Sequence, residues 1–413
     1  MDPRKCLSAL SAMLVLFAGC TSRHQPTSAG SESPTPSGSV SASASPSAVP
    51  LGKTSPPITS SGFVVVDSTW ISDNSGWVLG GKGCDGSGCS ILVKTTDGGL
   101  TWHRLNAPAA YVFAKGKFPQ GTSIPDVISH IRFANSSVGY AFGSAFFMTT
   151  DGGGTWTKQG TREVASLEIN RGVAVRVSYA GTGCPGPCDA LVESATVGSA
   201  HWRRIFGPFD AGFGSSVAVQ GPTIYLASFG HTAGGAGSAH TTFWRSSNLG
   251  ASWTGFDDPC GQSGAIENDA ADFIPTAYGS LIVECRSRGE NADAFIVESS
   301  KGGATFGPRR TLPVVFADAV GAGSSSTIAV TYDANGLGVL VSHDAGRTWR
   351  STLSVQRPPG SEQPGPLGDS KSIESFMGFE DSLTARASFG TAYLWTTRDG
   401  GDSWRRSTPF AGF

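Results

Sequence analysis

Thr149-Thr150-Asp151-Gly152-Gly153-Gly154-Thr155-Trp156 belongs to a series of like octapeptides spread along the chain. Close copies are Thr95-Thr96-Asp97-Gly98-Gly99-Leu100-Thr101-Trp102, Ser342-His343-Asp344-Ala345-Gly346-Arg347-Thr348-Trp349 and Thr397-Arg398-Asp399-Gly400-Gly401-Asp402-Ser403-Trp404. Looser copies place Asn248 before Trp253 and Lys301 before Phe306. A seventh, Ser194-Ala195-Thr196-Val197-Gly198, keeps the frame with one extra residue before Trp202. Each reads as a hairpin turn. Asp or Asn bonds its own backbone further along, and Gly supplies the positive φ of a tight turn. The aromatic residue opens the next strand.

The third positions of the seven copies are 97, 151, 196, 248, 301, 344 and 399, so the spacing averages about 50 residues. That is the length of one four-stranded propeller blade, and such a period overrides the two-domain expectation from length. The segments between turns agree. His130-Ile131-Arg132-Phe133, Gly139 to Gly143, Ala145 to Thr149 and Trp156-Thr157-Lys158 read as four strands around the turn at Asp151. Val64 to Ile71, Gly76 to Gly81, Ile91 to Thr95 and Trp102 to Leu105 repeat the arrangement, and so does the stretch from Ile373 to Arg406. β-branched and aromatic residues dominate, without a helix-length amphipathic pattern. The expectation is an all-β chain whose residues 63–413 form a seven-bladed β-propeller of four-stranded antiparallel blades, with ring closure left open.

The octapeptides resemble the Asp-box, or bacterial neuraminidase repeat. The resemblance gives Asp97, Asp151, Asn248, Asp344 and Asp399 structural roles at the turns.

Residues 1–20 read as an export signal: Arg4 and Lys5, then an apolar run from Leu7 to Gly19, too short for a membrane span. Leu16-Phe17-Ala18-Gly19-Cys20 resembles a bacterial lipobox, which implies lipidation of Cys20 and anchoring on the outer face of the cell membrane. An ordinary cleaved signal is the alternative. Residues 21–62, rich in Ser, Pro and Ala, cannot bury enough surface to order themselves and read as a disordered tether.

Lys+Arg 30 against Asp+Glu 32, with no basic block, gives no sign of a nucleic-acid partner. Arg104, Lys158, Arg203, Arg204, Arg350, Arg405 and Arg406 follow the turns and read as charges guarding outer sheet edges. Of eight cysteines, six remain beyond Cys6 and Cys20. In an exported chain they read as three disulfides, most locally Cys84 with Cys89, Cys184 with Cys188 and Cys260 with Cys285. Other pairings and a zinc site compete, but no His stands at metal spacing. No cofactor or metal is expected, and the chain reads as a monomer.

Strand direction alternates, so the octapeptides share one face with the short first-to-second turns. The long segments Asn106 to Ser129, Gly230 to Thr241, Asp257 to Asp272, Arg286 to Asp293 and Gln356 to Ser372 fall on the other, as do the three cysteine pairs. Elaborated, stapled loops point to recognition there. Tyr111, Phe113, Lys115, Lys117 and Phe118 mix aromatics with cations as binding anchors do. They also read as a device that folds a long loop back onto the ring. On innermost strands, Asp67, His130, Arg132, Glu168, Asp272 and Glu374 are candidate lining of the central channel.

Two Asp-box families imply different functions. In sialidases and other glycoside hydrolases the Asp-box decorates a catalytic propeller; the sialidases need an arginine triad beginning in a Phe/Tyr-Arg-Ile-Pro motif, and here Phe63-Val64-Val65-Val66 has no Arg, whereas other glycosidases need only two carboxylates. No catalytic residue carries over from them. The photosystem II assembly and stability factors are similar at Ile131-Arg132-Phe133, Gly139-Tyr140-Ala141-Phe142-Gly143 and the octapeptide at Thr149, and at Gly76-Trp77-Val78-Leu79-Gly80. That family implies binding without catalysis. The nucleophile-elbow, zinc-protease, phosphate-loop and calcium-loop signatures are missing. The combined reading is an anchored, non-catalytic binding or assembly module for a protein or glycan. An exo-acting glycoside hydrolase is the alternative.

Overall fold

A computed structural model describes residues 54–55 and 63–412, apart from 83–88, 113–125, 180–188, 212–213, 232–238, 262–267, 277–278, 288–293, 300–301, 315–316, 335 and 357–374. All lie in the compact unit Ala48–Phe413. Every regular element among them is a strand, and no helix there is long and apolar enough to cross a membrane.

The strands form seven four-stranded antiparallel blades, each built from consecutive stretches of chain, one of them extended by a fifth, parallel strand, and make a seven-bladed β-propeller. Blade 1 comprises Phe63–Trp70, Gly76–Lys82, Ser90–Thr95 and His103–Leu105. Blade 2 comprises His130–Phe133, Gly139–Phe142, Phe146–Thr149 and Thr157–Lys158. The pattern continues to blade 7, with Ser375–Phe379, Ala385–Phe389, Leu394–Thr397 and Arg405–Ser407. First strands stand innermost and adjoin one another. Second strands are buried on both faces, as Gly139–Phe142 and Ala385–Phe389 show, whereas the fourth strand Thr157–Lys158 is exposed.

Several strands run further than the sequence pattern indicates. Thr223–His231 and Ala239–Ser246 pair out to His231 and Ala239, which narrows the expected loop between them. Asn268–Pro275 likewise takes residues from the segment read as loop. Thr54–Ser55, within the expected tether, pairs in parallel with Ser354 and Val355 on the outer edge of blade 6.

Buried apolar side chains sort into clusters at the seams between neighbouring blades. Trp77, Leu79 and Leu92 of blade 1 meet Ile131, Phe133 and Phe147 of blade 2. Trp77 and Phe133 stack there, with ring centroids 4.0 Å apart. Val339, Val341 and Leu353 of blade 6 meet Ala387, Phe389 and Trp395 of blade 7 in the same way.

The octapeptide turns share one hydrogen-bond scheme. In blade 2, Thr149 Oγ1 donates to Asp151 Oδ1 at 2.8 Å and accepts from Gly153 N at 3.0 Å. The Thr155 backbone N–H and hydroxyl donate to the two Asp151 oxygens at 2.8 and 2.7 Å. These bonds hold the Asp151 carboxyl down to about 2. Asn248 does the same work uncharged: its Oδ1 accepts from Ser246 Oγ and Ser252 N, each at 2.9 Å, and its Nδ2 donates to Ser252 Oγ at 2.9 Å. The worn copy has no carboxylate at its third position, and Gly198 N instead donates to the Tyr140 hydroxyl at 2.8 Å.

The fourth residue of a turn offers its carbonyl to the preceding blade. Trp77 Nε1 donates to Gly152 O at 3.4 Å, Arg245 Nη1 to Gly302 O at 2.9 Å, Arg310 Nη1 to Ala345 O, and Arg405 Nη2 to Gly98 O at 3.3 Å. The last of these spans blades 7 and 1. That seam also holds Val65 N donating to Thr391 O at 2.8 Å, Phe63 stacked on Phe410, and Arg386 lying 3.9 Å over the Trp70 ring. The ring thus closes by packing whole blades, without a shared strand. Several outer-strand cations read as edge guards have specific partners: Arg405 as above, Lys158 at 2.7 Å from Asp126, Arg350 on Asp402 and Arg406 over Tyr393.

Candidate functional site: the central channel

Inner strands alternate side chains between a blade seam and the axis. This alternation brings Asp67 of blade 1, His130 and Arg132 of blade 2 and Glu168 of blade 3 together. Asp67 Oδ2 accepts from Arg132 Nη1 at 2.9 Å and from Ile131 N at 2.9 Å. His130 Nδ1 lies 3.5 Å from the same oxygen. Arg132 Nε reaches Glu168 Oε1 at 3.3 Å, so one guanidinium ties three blades. Burial works to raise the Asp67 carboxyl, but Arg132 and His130 outweigh it and hold it below the usual range. Arg132 is desolvated too, yet Asp67 and Glu168 raise it. Glu168 is pushed up, because the loss of water around it outweighs Arg132.

A second group stands on blade 5. Glu284, on the second strand, is 2% exposed and accepts from Arg286 Nε at 2.8 Å and Nη2 at 3.2 Å. Asp272, paired with Glu284 across the strands, is half-exposed and 3.9 Å from Arg286 Nη2. Burial pushes Glu284 up despite Arg286.

A third group lies at the seam of blades 7 and 1. Arg386, fully buried on the second strand of blade 7, donates from Nη2 to Asp73 O across the seam at 3.0 Å. Its Nη1 lies 3.1 Å from Glu380 Oε2. Burial pushes Glu380 up to about 8; Arg386 opposes this, while Asp73 and Asp381 add to it.

Two adjoining cavities follow the axis. The first, of about 470 Å³, takes in Arg132, Glu168, Asp272, Glu284 and Arg286. The second, of about 460 Å³, shares Arg132 and Glu168 and adds Asp67, Trp70, Glu380 and Arg386. Of the residues singled out from the sequence, Asp67, Arg132, Glu168 and Asp272 line these cavities, and His130 contacts Asp67. Glu374 lies outside the described residues. Glu284, Arg286, Glu380 and Arg386 were not among the expected channel residues. A signal was present: Arg386 falls within a second strand of otherwise uncharged residues, Ala385–Phe389, and a buried guanidinium requires a buried counter-ion.

Tyr111 is half-buried. Tyr111–Val112 pairs in parallel with Val127–Ile128, and Val112 joins the seam of blades 1 and 2, so this part of the loop folds back onto the ring. Phe113, Lys115, Lys117 and Phe118 lie outside the described residues, as do Cys20, Cys84, Cys184 and Cys188. Cys260 and Cys285 are disulfide-bonded, with Cα atoms 5.6 Å apart, and Cys89 is disulfide-bonded as well. Among the described residues, no group of three or more His, Cys, Asp or Glu is placed to hold a metal ion.

No protein-family model matches the chain, and no curated protein matches it. Solved structures do share its fold. An ancestral GH74 enzyme is similar with a TM-score of 0.55 and 11% identity, over 87% of this chain and 47% of that one. A polysaccharide lyase, the PL25 ulvan lyase, is similar at 0.50 and 10% identity, over 81% and 92%. YCF48 from Cyanidioschyzon merolae is similar at 0.47 and 15% identity, over 87% and 98%. At such identities the likeness is one of fold.

Proposed function

We propose that this protein is a lipid-anchored, extracytoplasmic propeller of the Asp-box class. In this reading Cys20 carries the lipid, residues 21–62 form the tether, which meets blade 6 at Thr54–Ser55, and the propeller from 63 onward binds a protein or glycan partner through its loop-rich face. The observation that carries a binding role over a catalytic one is the engagement of the channel carboxylates. Asp67, Glu168 and Glu284 are each held by an arginine at 2.8–3.3 Å, which commits at least one oxygen of each to the ring's own structure rather than to a substrate. The contrast between the faces supports the same role. One is stitched by repeated short turns, and Cys260–Cys285 braces the opposite side. Affinity capture with the chain in its own membrane fraction tests the reading. Alanine blocks in the long loops, such as 106–112, should abolish capture, and blocks in the octapeptide turns should spare it. Capture indifferent to the loop blocks refutes it.

One observation favours a glycoside hydrolase as the second reading. The cavity of about 460 Å³ holds Asp67, which stays ionised, and Glu380, which stays protonated near neutral pH. Carboxyls set apart in this way can divide acid and base roles. Turnover of chromogenic glycosides, sialosides included, that is lost in Glu380→Gln would favour this reading over the first.

A further inference from the structure

The charged lining of the larger channel cavity is unevenly compensated. Its two arginines are already bound: Arg132 by Asp67, the Ile131 carbonyl and Glu168, and Arg286 by both oxygens of Glu284. The side chains of Asp67 and Glu284 are 9% and 2% exposed. Glu168 and Asp272, at 36% and 50%, remain open to the cavity. Two guanidiniums therefore line the cavity with three carboxylates, Glu168, Asp272 and Glu284, while Asp67 binds Arg132 from outside it, and the excess negative charge sits on the accessible pair. His130 is a further basic group, turned to Asp67 rather than lining this cavity. The wall opposite is small or apolar. Gly378 has nothing within 4 Å of where a Cβ would stand, Phe376 lies on the same side of the strand, and the Phe379 ring packs into the seam with blade 6.

We propose that this cavity receives a basic side chain, lysine or arginine, from a protein partner, with its cationic head between Glu168 and Asp272 and its methylene stem along Phe376 and the open space at Gly378. The proposal rests on the reading of the propeller as a binding module and chooses a protein over a glycan. Burial leaves Glu168 and Glu284 raised even beside their arginines, so an additional cation would relieve a cost that uncharged sugar hydroxyls would not. The volume of about 470 Å³ has room for one such side chain with water.

The test is calorimetric titration of the full chain in detergent with three probes: blocked glycyl-arginyl-glycine, its neutral citrulline isostere and cellotriose. Saturable binding of the arginyl peptide at about 1 mM is expected, with the citrulline peptide about tenfold weaker. Asp272→Asn should weaken the arginyl peptide about fivefold without moving the melting midpoint, since Asp272 is half-exposed and only loosely paired. Equal binding of arginyl and citrulline peptides, tighter binding of cellotriose, or an unchanged constant in Asp272→Asn overturns the proposal. Loop-dependent capture of a partner together with no arginyl-peptide binding would sink this inference and leave the function above standing. Arginyl-peptide binding with capture indifferent to the loops would do the reverse.

Discussion

Replacing Glu380 with glutamine should make the propeller more stable at alkaline pH and leave it unchanged at acid pH. In the folded chain the Glu380 carboxyl is pushed from an ordinary 4.5 to about 8. Below pH 4.5 both folded and unfolded chains hold the proton, and Glu380 adds no pH dependence. Between 4.5 and 8 the unfolded chain releases it and the folded chain does not, so stability falls as pH rises. Above 8 the loss is complete and constant. A shift of this size corresponds to at most about 5 kcal/mol. Relaxation and water entry into the adjoining cavity should reduce it to about 2–3 kcal/mol. Glutamine mimics the neutral acid beside Arg386 and abolishes the loss. For a folded unit of this size the gain at pH 9 corresponds to a rise of about 3–4 °C in melting midpoint, against no difference at pH 5. Calorimetric scans of both chains from pH 4 to 9 measure it directly. Parallel midpoint curves, or a variant that is worse at pH 9, would refute the reasoning and show that Glu380 is ionised in its pair with Arg386.

Gly401→Ala should cost about 2–4 kcal/mol by denaturant titration, because Gly401 has φ +99° and its Cβ would stand 2.7 Å from Val341 Cγ2 of blade 6. Asp151→Asn should melt close to the parent and Asp151→Ala clearly lower, since the Asn248 turn shows that an amide satisfies the same donors. With its carboxyl depressed to about 2, the contribution of Asp151 is fully present above pH 4 and is lost only as pH falls through 2, which an acid-unfolding series on the alanine variant would show as a reduced acid sensitivity. Cys260→Ser with Cys285→Ser should lose about 3 kcal/mol, as expected for a bridge spanning 25 residues, and a reducing agent should then leave the melting point of the variant less changed than that of the parent.

The blade was legible because its signal is local. Thr149, Asp151, Gly153 and Thr155 satisfy one another within seven residues, so the octapeptide carries its own hydrogen-bond scheme wherever it occurs. Once the blade was known, strand alternation was enough to place Asp67, Arg132 and Glu168 toward the axis. Glu380 and Arg386 were hidden for the opposite reason. Glu380 reads as part of a short turn, and Arg386 finds its carbonyl at Asp73, 313 residues earlier in the chain. No window along the sequence joins those positions; only the closed ring does. Glu284 and Arg286 sit between these cases. They are two residues apart on one strand, hence on one side of it, but the run Leu281-Ile282-Val283-Glu284 gave no reason to prefer the axis to a seam.

The junction of blades 7 and 1 is stitched by the same kind of bond, from the same kind of donor to the same turn carbonyl, as the junctions within the chain. Nothing in that contact records that these two blades stand farthest apart along the sequence. Cut open between blades 2 and 3 and with blade 7 joined to blade 1 by a short linker, the propeller would meet the same neighbours in the same order. The folded disc has no first module, and the place where its covalent thread is interrupted is incidental to what holds it together.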